Sequence, residues 1–393
     1  MTGLVRADAI AIPLRDASVD LIVSSPPYFA LRSYQDGGEH YGGQIGSEPT
    51  PQAFLEALWA VTEECKRVLK PSGSMWINLG DKYCGYTNGA GKGRDLTGER
   101  GSTMVPDGPV SAPTVYEIPN KSLMGLPWRY AIGCIDQLGL ILRAEVVWSK
   151  PNGLPESVTD RVRRSHEQWF HFTREPRYFA AVDEVREASQ PISRPGHDGE
   201  RGATVRSVGI DNSPQRAGNN PLGKLPGSVW AIPSEPLKVP DWLGVDHFAA
   251  FPQEFPRRII LGWSPSGYCT ACGEPRVPCV EKERVGKGGR PSYVQAVHGQ
   301  HGHSHGHAET SATITGYRCA CPDTSAPTRP AVVLDPFGGT GTVAGVARAL
   351  GRYGVHLDLS ADYLRLARWR VEQSGHFAKT ESRTNRERQG VLL

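Results

Sequence analysis

Short apolar runs that alternate with helical patterns constrain the fold of this 393-residue chain more than any other feature. A buried strand is predicted over Asp20–Ser25, because this apolar run is closed by two prolines that cannot continue a sheet. A helix is predicted from Thr50, a capping residue, and Pro51, which suits the first helical position. Further strands are predicted over 74–79, 140–148, 168–173, 331–335 and 353–358. Helices between short buried strands are typical of a mostly parallel, doubly wound α/β sheet.

Charge and composition narrow the class of protein. The net charge of +3 permits a nucleic-acid partner without demanding one. The first residues lack the charged-then-apolar order of a signal peptide, and no apolar run approaches the roughly 18 residues of a membrane span. We therefore expect a cytoplasmic protein with no membrane partner, in which the eight cysteines bind metal or stay reduced.

A glycine-rich turn near the end of the sequence predicts a cofactor site. The apolar strand ending at Asp335 runs into Pro336-Phe-Gly-Gly-Thr-Gly341 and then into an amphipathic helix. Glycines let the backbone approach a ligand, and the helix N-terminus favours an anionic group. Asp358 closes the next strand, about twenty residues on, where a carboxylate can hold two ribose hydroxyls. The pattern suits an adenosine-bearing cofactor, although its glycine spacing is not that of a dinucleotide site.

A second motif, Ser25-Pro26-Pro27-Tyr28, stands at the end of the first buried strand. α/β sheets place their ligands at the carboxyl ends of strands. The Ser25 hydroxyl and the Pro26 carbonyl can accept both N–H groups of an exocyclic base amine, which makes the nitrogen lone pair available for attack. Tyr28 offers an aromatic face to a base rotated out of the duplex.

Together these motifs resemble the amino-methylating DNA methyltransferases, and the order with the catalytic motif first resembles their β group. The resemblance covers most of residues 4–375 and implies a Rossmann-like, S-adenosylmethionine-dependent methyltransferase fold with a circularly permuted motif order. It assigns binding of the target amine to Ser25, Pro26, Pro27 and Tyr28. It assigns the cofactor to Asp8, Asp335, Phe337, Gly338, Gly339, Gly341, Asp358 and His247. The family's usual lysine before Pro252 is Phe251 here.

Four cysteines in a separate stretch predict a structural zinc site. Cys269 and Cys272 form a C-x₂-C pair followed by glycine, a common zinc half-site, and Cys319 and Cys321 form a tighter pair far along the chain. The histidines between them are expected to lie in a disordered tract and not to be ligands.

The expected organisation follows from these motifs and from the composition of the stretches between them. Residues 183–228 lack periodicity and carry basic residues that include Arg194, Arg201, Arg206, Arg216 and Lys224, and the resemblance assigns this part to target recognition. The predicted divisions are a catalytic half (1–182), a target-recognition region (183–240), a cofactor-flanking segment (241–263), a zinc-ribbon-like insertion (264–330), a cofactor-binding half (331–375) and a disordered tail (376–393).

The expected function is site-specific methylation of double-stranded DNA, with a cognate restriction endonuclease as a possible partner. The resemblance favours cytosine N4 as the target, because serine before Pro-Pro-Tyr is commoner in the cytosine-N4 enzymes of that family, and adenine N6 stays open because the geometric demand is the same. A zinc-containing DNA-binding protein without activity is the remaining alternative, which the intact motifs disfavour.

Overall fold

A computed structural model describes residues 2–30, 35–36, 39–40, 44–84, 118–153, 155–188, 220–245, 250–285, 309–322, 326–373, 375–378 and 380. The strands are β1 (Thr2–Arg6), β2 (Val19–Ser24), β3 (Gln35–Asp36), β4 (Glu39–His40), β5 (Leu69–Leu79), β6 (Ile141–Ser149), β7 (His166–Thr173), β8 (Val229–Ala231), β9 (Tyr268–Cys269), β10 (Val277–Val285), β11 (Glu309–Arg318), β12 (Thr328–Arg329), β13 (Val332–Asp335) and β14 (Tyr353–Asp358).

The α-helices are α1 (Pro51–Val68), α2 (Leu126–Asp136), α3 (Glu254–Trp263), α4 (Thr342–Ala349) and α5 (Ala361–Glu372). Short 3₁₀ turns lie at Val182–Val185 and Asp241–Leu243. Among the described residues, no helix combines the length and the apolar composition needed to cross a membrane.

Eight strands form one central sheet in the order β1-β14-β13-β2-β5-β7-β6-β8. In this order, the neighbouring strands β1, β14, β13, β2 and β5 are all parallel to one another, and β6 is parallel to β8. Strand β7 runs antiparallel to both of its neighbours, β5 and β6. The α/β class and the mostly parallel sheet are therefore confirmed, with one reversed strand that the hydrophobic pattern did not distinguish.

The central position of β2 follows from its composition. All six of its residues are buried, as expected for a strand covered on both faces. Ile22 packs with helices α1 and α2 on one face of the sheet, whereas Leu21 and Val23 pack with α3 and α4 on the other. Two apolar layers therefore enclose the sheet, and its strand ends are left for ligands.

Helix α1 begins as its sequence predicts. The Thr50 side chain accepts a hydrogen bond from the Ala53 amide at 3.1 Å, and Pro51 occupies the first helical position. Ser360 caps α5 in the same way, through the amide of Tyr363. Side-chain capping satisfies amide groups that a helix cannot pair internally.

The predicted disordered tail is wrong for its first residues. Phe377 is buried, and its ring lies against Gly345 of α4, where a Cβ atom would come within 2.0 Å of it. The absence of a side chain at Gly345 creates the space that the ring fills. Residues 381–393 lie outside the described part of the chain.

Helix α2 should depend on Gly133 for its approach to α1. A Cβ atom at Gly133 would lie 2.1 Å from the indole of Trp59, whose N–H donates to the Tyr130 carbonyl at 3.1 Å. We expect Gly133→Ala to lower the free energy of unfolding by about 1–3 kcal/mol, as overpacking typically does. Urea unfolding would measure the change. Gly227→Ala is the matched control, because no atom lies within 4 Å of its added Cβ; equal stability of both variants would contradict the prediction.

Candidate active site

A buried hydrogen bond joins the two predicted motifs. Strand β2 pairs with β13, so that the strand ends carrying Ser25 and Asp335 are adjacent. The Ser24 hydroxyl donates to Asp335 Oδ1 at 2.6 Å, across 311 positions of sequence. The Phe337 amide donates to the same oxygen at 3.1 Å. The Ser-Pro-Pro-Tyr motif and the glycine-rich turn therefore share one edge of the sheet.

Burial raises the pKa of Asp335 to about 7, and the nearby Asp358 carboxylate acts in the same direction. The hydrogen bonds from Ser24 and Phe337 oppose this shift without cancelling it. The carboxyl group therefore holds its proton far above the usual range of an aspartate.

The glycine-rich turn surrounds an open space. Gly339 has a φ of 48°, and an added Cβ atom would meet only the Phe337 carbonyl, at 3.9 Å. The Gly339 amide donates to Asp358 Oδ2 at 2.9 Å, and the Ser360 amide donates to Oδ1 at 2.9 Å. Gly341 begins α4 without a side-chain cap. Amide groups at this end of the helix therefore remain for an anionic ligand.

The other two glycines of the turn are required by close packing. A Cβ atom at Gly338 would lie 2.1 Å from Nδ1 of His356, and one at Gly341 would lie 2.9 Å from Cβ of Ala367. Burial lowers the pKa of His356 to about 4, so that its ring is neutral beneath the turn. Glycines at these positions let the turn lie directly on β14 and α5.

The remaining residues assigned to the cofactor fall on the same edge or outside the described chain. Asp8 lies just after β1, and Arg6 of that strand is opposite Asp358 in the parallel pairing with β14. The Oδ1 atom of Asp8 accepts a hydrogen bond from the Ile10 amide at 3.0 Å. His247 lies outside the described residues. Phe251, which replaces the family's lysine, packs edge-on against Trp169 with 5.6 Å between ring centroids.

Asn78 connects the two polar side chains of the Ser-Pro-Pro-Tyr motif. The Ser25 hydroxyl lies 3.1 Å from Asn78 Oδ1, and the Tyr28 hydroxyl lies 2.8 Å from the same atom. The Asn78 amide group donates to the Gln168 carbonyl at 3.0 Å, which fixes the orientation of Oδ1. Gly80 makes room for the Tyr28 ring, because a Cβ atom there would lie 2.6 Å from it.

Asn78 was not predicted from the sequence, and no role was predicted for Glu167 and Lys150. Tyr28 also contacts Glu167 Oε2, at 2.7 Å, and the other oxygen of that carboxylate pairs with Lys150. A signal for Asn78 was available: it is a polar residue at a buried position next to the end of an apolar strand. Lys150 and Glu167 meet only when β7 reverses direction, which the sequence pattern did not predict.

The four predicted cysteines lie together, near the strand ends of the central sheet that are opposite to those carrying Ser25. The sulfur atoms of Cys269, Cys272, Cys319 and Cys321 all lie within 4.8 Å of one another, and those of Cys269 and Cys321 are 3.9 Å apart. Backbone amides of Cys272 and Ala271 lower the pKa of Cys269. The adjacent Tyr268 hydroxyl bonds to Asp20, at the start of β2. The cluster therefore lies at the opposite strand ends from Ser25.

A solved structure with a similar fold defines the fold class of this chain. The fold matches a solved structure of the PvuII DNA methyltransferase (cytosine-N4-specific) with a TM-score of 0.51 and 14% identity, over 99% of this chain and 93% of that one. The fold is therefore the mixed α/β fold of methyltransferases, with a large central sheet.

Sequence similarity then defines the family. A family model described as DNA methylase matches residues 19–270. The type II methyltransferase M.Cfr9I of Citrobacter freundii is 32% identical over 74% of this chain and 84% of its own length. M.XycI of Xanthomonas campestris pv. cyanopsidis is 41% identical over 47% of this chain, a match spanning 58% of that relative. The chain belongs to the DNA methylase family, which confirms the resemblance inferred from its motifs.

The raised pKa of Asp335 predicts a pH-dependent stability. Between the usual aspartate value of 3.8 and about 7, the folded protein binds a proton that the unfolded chain releases. This contribution to stability is therefore present at low pH and is lost as the pH rises through about 7. Asp335→Asn cannot lose that proton, so that the variant should gain on the wild type by about 1–4 kcal/mol between pH 4 and 7.5. Urea unfolding of both proteins without cofactor would measure the difference, and a pH-independent difference would contradict it.

Proposed function

We propose that this chain transfers a methyl group from S-adenosylmethionine to an exocyclic amine of a base in double-stranded DNA, with cytosine N4 favoured. The observation that carries the proposal is the Ser24–Asp335 hydrogen bond, which brings the amine-binding and cofactor motifs to adjacent strand ends. We also infer a circularly permuted motif order, because the late strands β13 and β14 lie between the early strands β1 and β2.

The turn after β13 fits the proposed cofactor. The open space at Gly339 and the uncapped start of α4 suit its carboxylate end. Both Asp358 oxygens lie at this turn, where Oδ2 accepts from the Gly339 amide and Oδ1 from the Ser360 amide, and the carboxylate is proposed to accept from the ribose hydroxyls. Asp8, one strand away, is proposed to reach the adenine. The residues proposed to contact the cofactor are Asp8, Asp335, Phe337, Gly338, Gly339, Gly341, Asp358 and His247.

The proposed chemistry at the other motif is direct attack by the amine. When bound, S-adenosylmethionine supplies an electrophilic methyl group on a positively charged sulfur. The Ser25 hydroxyl and the Pro26 carbonyl accept the two amine N–H groups, which localises the nitrogen lone pair. With the methyl donor held at the glycine-rich turn, that lone pair would form the new N–C bond as the C–S bond breaks, and the proton that the nitrogen loses would pass to solvent water. The Ser25 hydroxyl donates a hydrogen bond to Asn78 Oδ1 at 3.1 Å, and this orientation leaves the lone pairs of Ser25 Oγ facing the amine.

The proposed base preference rests on Ser25, since serine before Pro-Pro-Tyr favours cytosine N4 in the family. Adenine N6 is the second candidate, because two hydrogen-bond acceptors serve either amine equally. Recognition of the DNA sequence is proposed for residues 183–240, of which 189–219 lie outside the described part. Relatives named type II methyltransferases support a role in restriction-modification, with a cognate endonuclease as partner.

The four cysteines are proposed to form a zinc-ribbon-like site. Tetrahedral zinc with Zn–S bonds of about 2.3 Å separates its sulfur ligands by about 3.8 Å. The 3.9 Å between Cys269 and Cys321 fits this geometry. Thiolate ligands also accord with the reducing cytoplasm, where we place the protein. Because the cluster lies at the far strand ends, its proposed role is structural and not catalytic.

Ser25→Ala should separate chemistry from cofactor binding. Loss of one acceptor that acts in the transition state is expected to lower the single-turnover rate by about 10²–10³. The variant should bind S-adenosylmethionine nearly as the wild type does. Gly339→Val should instead abolish that binding, because its side chain would enter the open space of the turn. Calorimetry and quenched-flow methylation of duplex DNA would measure both effects.

Nucleoside analysis of the methylated DNA distinguishes the candidates. N4-methylcytosine is the expected product, whereas N6-methyladenine would show that the target is adenine, the second candidate. A wild-type protein that binds DNA and methylates neither base would favour the inactive DNA-binding alternative. A Ser25→Ala enzyme at the wild-type rate would exclude the mechanism.

Metal analysis should find about one zinc per chain in protein purified without added metal. Cys272→Ser should lower both the zinc content and the melting temperature, because it removes one of four ligands. Cys279→Ser is the matched control: this cysteine lies in β10, outside the cluster, and its replacement should leave the zinc in place. A folded, fully active wild-type preparation without metal would contradict the structural role.

A further inference from the structure

We propose that Glu167, held by Lys150, is a positioning residue that directs the hydroxyl protons of Tyr28 and Ser25. The inference rests on the proposed function, in which Ser25 accepts a hydrogen bond from the target amine. In that mechanism the Glu167 carboxylate contacts neither the base nor the cofactor. It acts through Tyr28 and Asn78.

Glu167 lies between a charge and a hydroxyl. Its Oε2 is 2.7 Å from the Tyr28 hydroxyl, and its Oε1 forms an ion pair with Lys150. The side chains of Glu167 and Lys150 are only 17% and 23% exposed, so that solvent screens this pair less than a surface pair. The carboxylate is therefore a charged acceptor with a fixed position beside Tyr28.

Lys150 is itself held in place. Its ammonium group lies 4.1 Å from the centroid of the Trp148 ring, which favours a cation over its face. Trp148 is buried, and its indole N–H donates to the Ile232 carbonyl at 2.7 Å. A rigid aromatic ring thus supports the lysine that orients Glu167.

The consequence concerns the single proton of the Tyr28 hydroxyl. That hydroxyl is within reach of two acceptors, Glu167 Oε2 and Asn78 Oδ1. A carboxylate is a stronger acceptor than an amide oxygen, so that the proton is donated to Glu167. Asn78 Oδ1 then accepts from Ser25 without competition, and the lone pairs of Ser25 are left for the amine. Without the charge on Glu167, Tyr28 would donate to Asn78, and the Ser25 proton could turn toward the amine.

A double-mutant cycle tests this coupling. Glu167→Gln keeps the size of the side chain and removes its charge, and it should lower the single-turnover methylation rate by about 10- to 100-fold, as expected for the loss of one hydrogen bond to a charged group. In a Tyr28→Phe background, which has no hydroxyl proton to direct, Glu167→Gln should have no further effect. An equal loss in both backgrounds, or no loss in either, would overturn the proposal.

Two further variants keep the test independent of folding. Lys150→Arg preserves the charge and should restore most of the rate, whereas Lys150→Met should lower the rate as Glu167→Gln does. Asp160→Asn is the matched control, because this exposed carboxylate pairs with Lys121 at 2.8 Å and contacts no residue of the motif. S-adenosylmethionine affinities should be the same for all variants, and melting temperatures would show that each variant is folded at the assay temperature. If Glu167→Gln fails to fold, the two Lys150 variants decide the outcome.

Ser25→Ala in the same assay separates this inference from the proposed function. A Ser25→Ala enzyme at the wild-type rate would exclude both. A large loss in Ser25→Ala together with additive effects of Glu167→Gln and Tyr28→Phe would exclude only the positioning role of Glu167.

Discussion

The pairing of β2 with β13 is the interaction on which the rest of this structure depends. It joins the two parts of the sequence that carry the motifs, and the Ser24–Asp335 hydrogen bond closes it at the edge where the strands end. Every proposed step needs that contact, because a base amine at Ser25 and a methyl donor over Gly339 must meet within bonding distance. The buried carboxyl of Asp335 is correspondingly unusual: burial favours its protonated form, which a surface aspartate would not adopt at neutral pH.

A layered arrangement of polar groups surrounds this contact. Ser25 and Tyr28 meet at Asn78, Tyr28 reaches Glu167, and Lys150 pairs with Glu167. Such a chain restricts the hydroxyl groups at its end, because each partner has already lost its freedom to rotate. The cysteine cluster takes no part in it. Tyr268 connects that cluster to Asp20 at the opposite end of β2, so that the proposed metal site and the Ser25 motif are separated by the length of a strand.

Local signals in the sequence predicted a large part of this. The Thr50 cap, the glycine-rich turn and the Ser-Pro-Pro-Tyr motif are encoded by adjacent residues, and all appear where expected. The approach of the four cysteines also followed from their chemistry. Features that depend on long-range pairing were missed. The reversal of β7 brings Glu167 to Lys150, and the addition of β8 to the sheet uses three residues from a region expected only to recognise DNA. Phe377 is buried because Gly345 lies opposite, which no local pattern reports.

The position of β13 and β14 between β1 and β2 has a consequence for how the protein is made. A ribosome releases β1 and β2 early, but the two strands that separate them emerge only after more than three hundred residues. Until then, β2 has no partner on its β13 side, and its four apolar residues, Val19, Leu21, Ile22 and Val23, are exposed to solvent and to other chains. The sheet can be completed only after β13 and β14 have been released, so that the nascent chain is expected to need protection from aggregation over that length of synthesis. A product truncated before β13 would lack two interior strands of the sheet, and β1 would have no neighbour with which to pair.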